Sequence, residues 1–183
     1  TPQVQHVLFS FHGVPERHIR KRDPSSVYCL RLPQCCEVDH PARGFCYRAQ
    51  CLETARGVAR LLNLEPGRWS VSFQSRLGRQ PWLRPYTEEV LSQLPSQGVL
   101  RLLVLCPSFV ADCLETLEEI GIRGKRTFME SGGELLSLVP CLNEHPAWIQ
   151  ALEQWMQMPT LTKTHSFETI GVQPRHREES GER

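Results

Sequence analysis

Four short runs of the chain are apolar at nearly every position, and each is bounded by polar or turn-forming residues. Val4 to Phe11 (VQHVLFSF) is rich in β-branched and aromatic side chains and stops at His12-Gly13, the pattern of a buried strand entering a tight turn. Trp69 to Phe73 (WSVSF) and Val99 to Leu105 (VLRLLVL) read as second and third strands, and Leu135 to Val139 as a short fourth. Between them the periodicity becomes helical. From Tyr47 onward, Leu52, Ala55, Val58, Ala59, Leu61 and Leu62 make one apolar stripe, stopped by Pro66-Gly67. Thr87 is placed to cap a helix over Glu88 to Leu94, with acids in its first turn, and Gly98 ends it. A helix after Pro107 is predicted to include Asp112 to Ile120. A last one runs from Pro146 through Met156, with Trp148, Ile149, Leu152 and Trp155 on one face and the two tryptophans in the core. Strands alternating with helices predict an α/β domain whose mostly parallel sheet is covered on both faces.

Two stretches fall outside this rhythm. Residues 17–28 are polar and basic, and 29–46 are Cys-rich and punctuated by proline, with no period. Beyond Pro159 the composition turns polar and RHREESGER reads as a disordered tail, so the domain is set at 1–158 and the tail at 159–183. No internal repeat is found.

Composition narrows the function classes. The formal charge is +1, from 21 basic and 20 acidic residues, which argues against a nucleic-acid partner drawn by a long-range field. No apolar run approaches the ~18–20 residues of a transmembrane helix, and no signal peptide is visible in TPQVQHVLFSFHG. A cytoplasmic protein is expected, with peripheral contact at the inner membrane surface as an option. The missing initiator Met suggests a piece of something longer, or a mature fragment. Of eight cysteines, Cys29, Cys35, Cys36, Cys46 and Cys51 share one short segment, while Cys106, Cys113 and Cys141 read as buried small hydrophobes. Without a secretory signal, a metal or cluster site is expected from the first group rather than a disulfide framework.

In parallel sheets, ligands sit beyond the carboxyl ends of the strands. His12 follows the first strand, Gln74, Ser75 and Arg76 the second, and Pro107 to Glu115 the third, so these loops are expected to open on one edge. On the predicted helix, Asp112, Glu115 and Glu119 share a face, whereas Glu118 points to solvent. Taken alone, His12 is a strand-end histidine satisfied by backbone, and Glu115 an ordinary surface acid; their convergence is what suggests chemistry. His6, His18, His40, His145, His165 and His176 read as exposed or structural. The run Arg17 to Arg22 reads as a solvated face, with the carboxylates of a ligand or an anionic membrane surface as the alternative.

Three stretches carry a specific resemblance. His12-Gly13-x-Pro15, the run Gln74-Ser75-x-x-Gly78-x-x-x-Trp82-Leu83-x-Pro85 and Phe109-x-x-Asp112-x-x-Glu115-Thr116-Leu117 make the chain, from about Val7 to Met156, resemble the C-terminal half of a ferrochelatase. The resemblance implies a Rossmann-like, chelatase-like three-layer domain that inserts ferrous iron into protoporphyrin IX to form haem, with Fe2+ as substrate. It makes His12 the acceptor of pyrrole protons and Glu115 its acidic partner. Asp112 and Glu119 become a metal or proton path. Trp82 becomes a wall near the macrocycle, with Ser75 and Arg76 as porphyrin contacts. It further implies that half of the porphyrin pocket belongs to a missing N-terminal domain, so the fragment alone is expected to be inactive; a homodimer is an open option. Cys113 stands where some relatives have a second histidine.

The segment 25–50 matches the internal insertion of a bacterial class that holds a [2Fe-2S] cluster. Cys29, Cys36, Cys46 and Cys51 are the implied ligands, with Cys35 as the alternative to Cys36 and zinc as the chemical competitor. Rival functions are a non-catalytic module holding a Cys-ligated metal, and a chelatase for another tetrapyrrole or metal such as cobalt. A nucleotide-binding domain is disfavoured because no G-x-G-x-x-G or P-loop follows any strand.

Overall fold

The computed structural model describes residues 3–32 and 34–157. Its centre is a four-stranded sheet formed by β1 (His6–His12), β2 (Trp69–Gln74), β3 (Arg101–Leu105) and β4 (Leu135–Leu138), in the order β2-β1-β3-β4 with every pair parallel. The four predicted strands are present, displaced by one or two residues at their ends. β1 sits inside the sheet, and its side chains alternate between two cores as the period-two pleat requires. Val7, Phe9 and Phe11 enter one core; Leu8 enters the other. Phe9 meets Trp69 edge-on at 5.8 Å.

The first core is closed by α2 (Tyr47–Leu61) and the cysteine segment before it. The face that α2 buries is Cys51, Ala55 and Ala59, one every four residues, with Ala49. Leu61 and Leu62, predicted on the apolar stripe, are exposed at the frayed end of the helix. Small side chains let the helix approach the sheet, so the buried stripe is less hydrophobic than the exposed end. The basic run contains a short α1 (Glu16–Lys21) that buries only Ile19 and pairs Arg20 with Glu16 at 3.0 Å.

The second core is closed by α3 (Thr87–Gln93), a four-residue α4 (Leu114–Leu117), a π-helical turn over Glu119–Gly124 and α5 (Lys125–Glu130). Two predicted features are corrected here. Thr87 does not cap α3: it is buried, and its hydroxyl meets Ser10 and Ser72 instead. The single helix over Asp112 to Ile120 is broken, because Cys113 caps α4 and Asp112 precedes it. After α4 the Arg123 amide reaches back five residues to the Glu118 carbonyl, 2.9 Å away. Such π turns widen a helix by one residue and recur at functional sites.

The described residues divide into two compact units at Asn143/Glu144. The second contains α6 (Pro146–Gln157), whose Trp148 and Trp155 rings meet edge-on at 5.9 Å. No residue of α6 is buried and Trp155 is 53% exposed, so the tryptophans are not core. The polar tail predicted for 159–183, with His165 and His176, lies outside the described residues. Among the described residues no helix is long and apolar enough to cross a membrane.

Candidate active site

His12 is the last residue of β1, level with Gln74 at the end of β2. The chain turns at Gly13, whose amide bonds the Gln74 carbonyl at 2.8 Å. A Cβ on Gly13 would lie 2.9 Å from that carbonyl oxygen and 3.3 Å from the Trp82 ring, so only glycine fits without displacing backbone. The His12 backbone is held on both sides. Its amide donates to Ser108 Oγ at 3.2 Å, its carbonyl accepts from Tyr47 Oη at 2.8 Å, and those two hydroxyls lie 3.0 Å apart.

The imidazole is half-buried, with the Trp82 ring 6.4 Å away and the Phe109 ring 5.9 Å away. Nδ1 lies 2.5 Å from the Gly13 carbonyl. A carbonyl only accepts, so Nδ1 carries the proton in the neutral ring and Nε2 carries the lone pair. His12 is thereby a base whose free nitrogen is fixed by a local backbone contact.

The three acids predicted to share a face make different contacts. Glu115 sits at the first turn of α4, where the Cys113 thiol first, then its own amide and the nearby His12, hold its carboxyl below the usual range. Glu119 accepts from both the amide and the hydroxyl of Ser75, each at 2.8 Å. Asp112 is committed elsewhere. It accepts from Asn143 Nδ2 at 2.8 Å and Thr116 Oγ1 at 3.1 Å, and Asn143 Oδ1 accepts its amide at 2.9 Å. Its carboxyl is held low chiefly by Asn143. The expected face of three carboxylates is therefore replaced by Glu115 and Glu119, with Asp112 serving as a clasp between α4 and the segment after β4.

Trp82 is buried and donates its indole N–H to the Leu77 carbonyl at 3.0 Å. Arg76 is exposed and stacks on Tyr86, 4.6 Å from the ring centroid, with Arg84 at 4.1 Å from the same ring. Ser75 takes a left-handed backbone (φ 64°) that directs both its donors to Glu119. Tyr47, Ser108 and Gln74 were not marked as site residues by sequence reasoning. Their signals, a Tyr after the cysteine segment, a Ser after β3 and the Gln of the second motif, gain meaning only from contacts across the fold.

The cysteine segment is organised by Asp23. Its carboxylate accepts from the amides of Ser25, Tyr28 and Cys29 and from the Ser25 hydroxyl, all within 3.0 Å. Burial alone would raise its pKa, but these four donors, Cys29 first, hold it at about 2. His40 caps the following 3-10 turn (Pro41–Phe45) through Ala42 and stacks on Tyr28 at 3.6 Å. Replacing Asp23 by Ala leaves buried donors unpaired and is expected to cost about 1–3 kcal/mol, read as a lower midpoint in urea. Because the folded carboxyl is depressed, its contribution is complete above the unfolded value of about 3.9 and disappears as pH falls towards 2. The difference between wild type and D23A should therefore narrow as pH falls through that window.

Cys29, Cys35, Cys36 and Cys46 are all buried together with Cys51. The Cys35 and Cys36 sulfurs are 4.0 Å apart, and the Arg48 guanidinium lies 3.7 and 3.5 Å from them. Cys46, at the N-terminus of α2, is the thiol that ionises most readily. The Cys36 thiol, the amides of Ala49 and Arg48 and the Cys29 thiol bring it down to about 6. Cys29 and Cys36 are raised in turn, Cys29 chiefly by burial and Cys36 chiefly by its bond to Cys46. Cys51 is raised to about 11 by burial and faces the Tyr47 hydroxyl. Among the described residues no three His, Cys, Asp or Glu side chains stand at ready metal-ligating geometry. Two sulfurs on one tetrahedral metal at ~2.3 Å stand roughly 3.8 Å apart, close to the Cys35–Cys36 spacing. An adjacent cation offsets the thiolate charge.

Fold and site together define an α/β domain with an imidazole–carboxylate centre at the carboxyl edge of a parallel sheet. A family model described as Ferrochelatase matches residues 1–159. The chain belongs to the ferrochelatase family. It is 60% identical over 155 residues to "Ferrochelatase" of Azotobacter vinelandii, covering 84% of this chain and 46% of that protein. It is 56% identical over 149 residues to "Ferrochelatase" of Pseudomonas aeruginosa, covering 81% and 44%. The chain thus spans less than half the length of these curated relatives. Among solved structures, a putative cobalamin biosynthesis CbiX protein from Marinobacter aquaeolei overlays with a TM-score of 0.45 at 14% identity, covering 82% of this chain and 92% of that one.

Proposed function

We propose that this chain is the C-terminal, base-bearing half of a protoporphyrin ferrochelatase, and that the pocket is completed by an N-terminal domain outside it. The observation that carries the reading is His12 with its Nε2 lone pair free at the end of β1 and Glu115 tied to the neighbouring strand end through Gln74. Metallation consumes Fe2+ and releases two pyrrole protons. Nε2 of His12 accepts a proton, Glu115 stabilises the resulting imidazolium, and Glu119 lies one turn further as the next carboxylate on the way out. Two aromatic rings flank the imidazole and offer a flat macrocycle a wall; Arg76, exposed beside Tyr86, provides a cation for a propionate. A complete protein carrying this segment should convert Fe2+ and protoporphyrin IX to haem, and Glu115→Gln should lower kcat about 10-fold or more. Equal turnover by E115Q would remove Glu115 from the reaction; no haem from the unmodified protein would remove the function.

We further propose that the cysteine segment holds a [2Fe-2S] cluster, a reading supported by five cysteines buried in one core. Cys29, Cys36 and Cys46 would hold it, with Cys35 or Cys51 as the fourth ligand and Arg48 balancing charge. Such a group supplies one-electron chemistry or structural cross-linking, and no step of metal insertion requires it.

A further inference from the structure

A row of buried polar side chains crosses the second core beneath the site. Ser72 Oγ meets Thr87 Oγ1 at 2.8 Å, Thr87 meets Ser10 Oγ at 2.8 Å, and Ser10 donates to Gln74 Oε1 at 2.7 Å. Cys106 also donates to Oε1, at 3.4 Å. Ser10 and Ser72 are inaccessible, and Thr87 and Gln74 are each 2% exposed. Among the described residues no buried side-chain polar atom lacks a partner. A network this far from water costs stability unless every member is satisfied.

The row ends on one bond. With Oε1 receiving two donors, the amide orientation is fixed, and Nε2 donates to the Glu115 main-chain carbonyl at 2.6 Å. The main chain of the same Gln74 accepts from Gly13, next to His12. We infer that Gln74 is the positioning residue that sets the separation of His12 and Glu115, its side chain holding the acid's main chain and its carbonyl holding the turn after the base. The neighbouring Ser75 extends the hold to Glu119, so the end of β2 places both acids relative to the end of β1. α4 runs on through the π turn into α5, so the bond from Gln74 fixes where the first turn of that helical stretch stands against the end of β2. The inference rests on the catalytic reading of His12 and Glu115 given above.

The test is Gln74→Met in the complete protein. It keeps the length of the side chain and removes both the acceptor facing Ser10 and the donor facing the Glu115 carbonyl. Misplacement of catalytic groups by about 1 Å lowers turnover by up to ~100-fold, so kcat should fall 10- to 100-fold with KM for porphyrin within about threefold. Backbone amides of 114–119 should exchange about tenfold faster, with the sheet unchanged. A kcat within twofold of wild type, or a loss confined to KM, overturns the inference. If Q74M does not fold, Gln74→Asn carries the test: it keeps a buried amide but draws it back by one methylene from the Glu115 carbonyl, kcat should again fall at near-constant KM, and an unchanged kcat overturns the inference. Should the unmodified protein make no haem, the functional reading fails by itself, and localised exchange at 114–119 still decides whether Gln74 tethers α4.

Discussion

His12→Ala in the complete protein is expected to reduce iron insertion into protoporphyrin by about 10²- to 10⁴-fold, the range associated with losing a positioned general base. The loss should be specific to chemistry. His12 contributes its backbone to the β1–β2 ladder and to Tyr47 and Ser108, and none of those bonds involves the imidazole. The ring is half-buried and its one side-chain bond is to the adjacent Gly13 carbonyl. Truncation should therefore leave the urea midpoint nearly unchanged while kcat collapses. Activity of H12A near wild type would sink the assignment of the base.

The second large effect is expected from Cys46→Ser. Cys46 joins the Cys29 and Cys36 sulfurs at the N-terminus of α2, so its loss removes the thiol that links the other two. A serine hydroxyl does not ionise at neutral pH, and metal binding of this kind is coupled to folding of its loop. Purified C46S should lack visible absorbance and bound iron and sulfide, and its 23–46 segment should become protease-sensitive. Comparing C35S with C51S then identifies the fourth ligand, since only one should lose the cluster. A colourless wild-type protein with one zinc per chain would replace the cluster by a structural site.

The sheet was legible because strands buried on both faces must be apolar throughout, and no other use of VLFSF or LRLLVL suits this chain. The placement of His12, Glu115 and Glu119 at one sheet edge was legible because loops after parallel strands open on the same side. What stayed hidden depends on distant partners. Asp112 has the spacing of a site acid, but its clasp is Asn143, 31 residues away. Thr87 has the look of a cap, yet its partners lie 15 and 77 residues away. The stripe ending in Leu61 and Leu62 misled because hydrophobicity was weighed without approach distance: α2 meets the sheet through Ala55 and Ala59. The π turn after α4 leaves no periodic signature that could separate it from an α-helix.

Tyr47 stands one residue after Cys46 and four before Cys51, and its hydroxyl holds the His12 carbonyl at 2.8 Å. Burial pushes its phenol well above the ordinary value, so the hydroxyl keeps its proton throughout the physiological range. The start of α2 is thus pinned to the end of β1 by a bond that no titration in that range breaks. The cysteine loop is in consequence a strut and not an appendage, since it leads through Tyr47 to the same backbone that carries the imidazole.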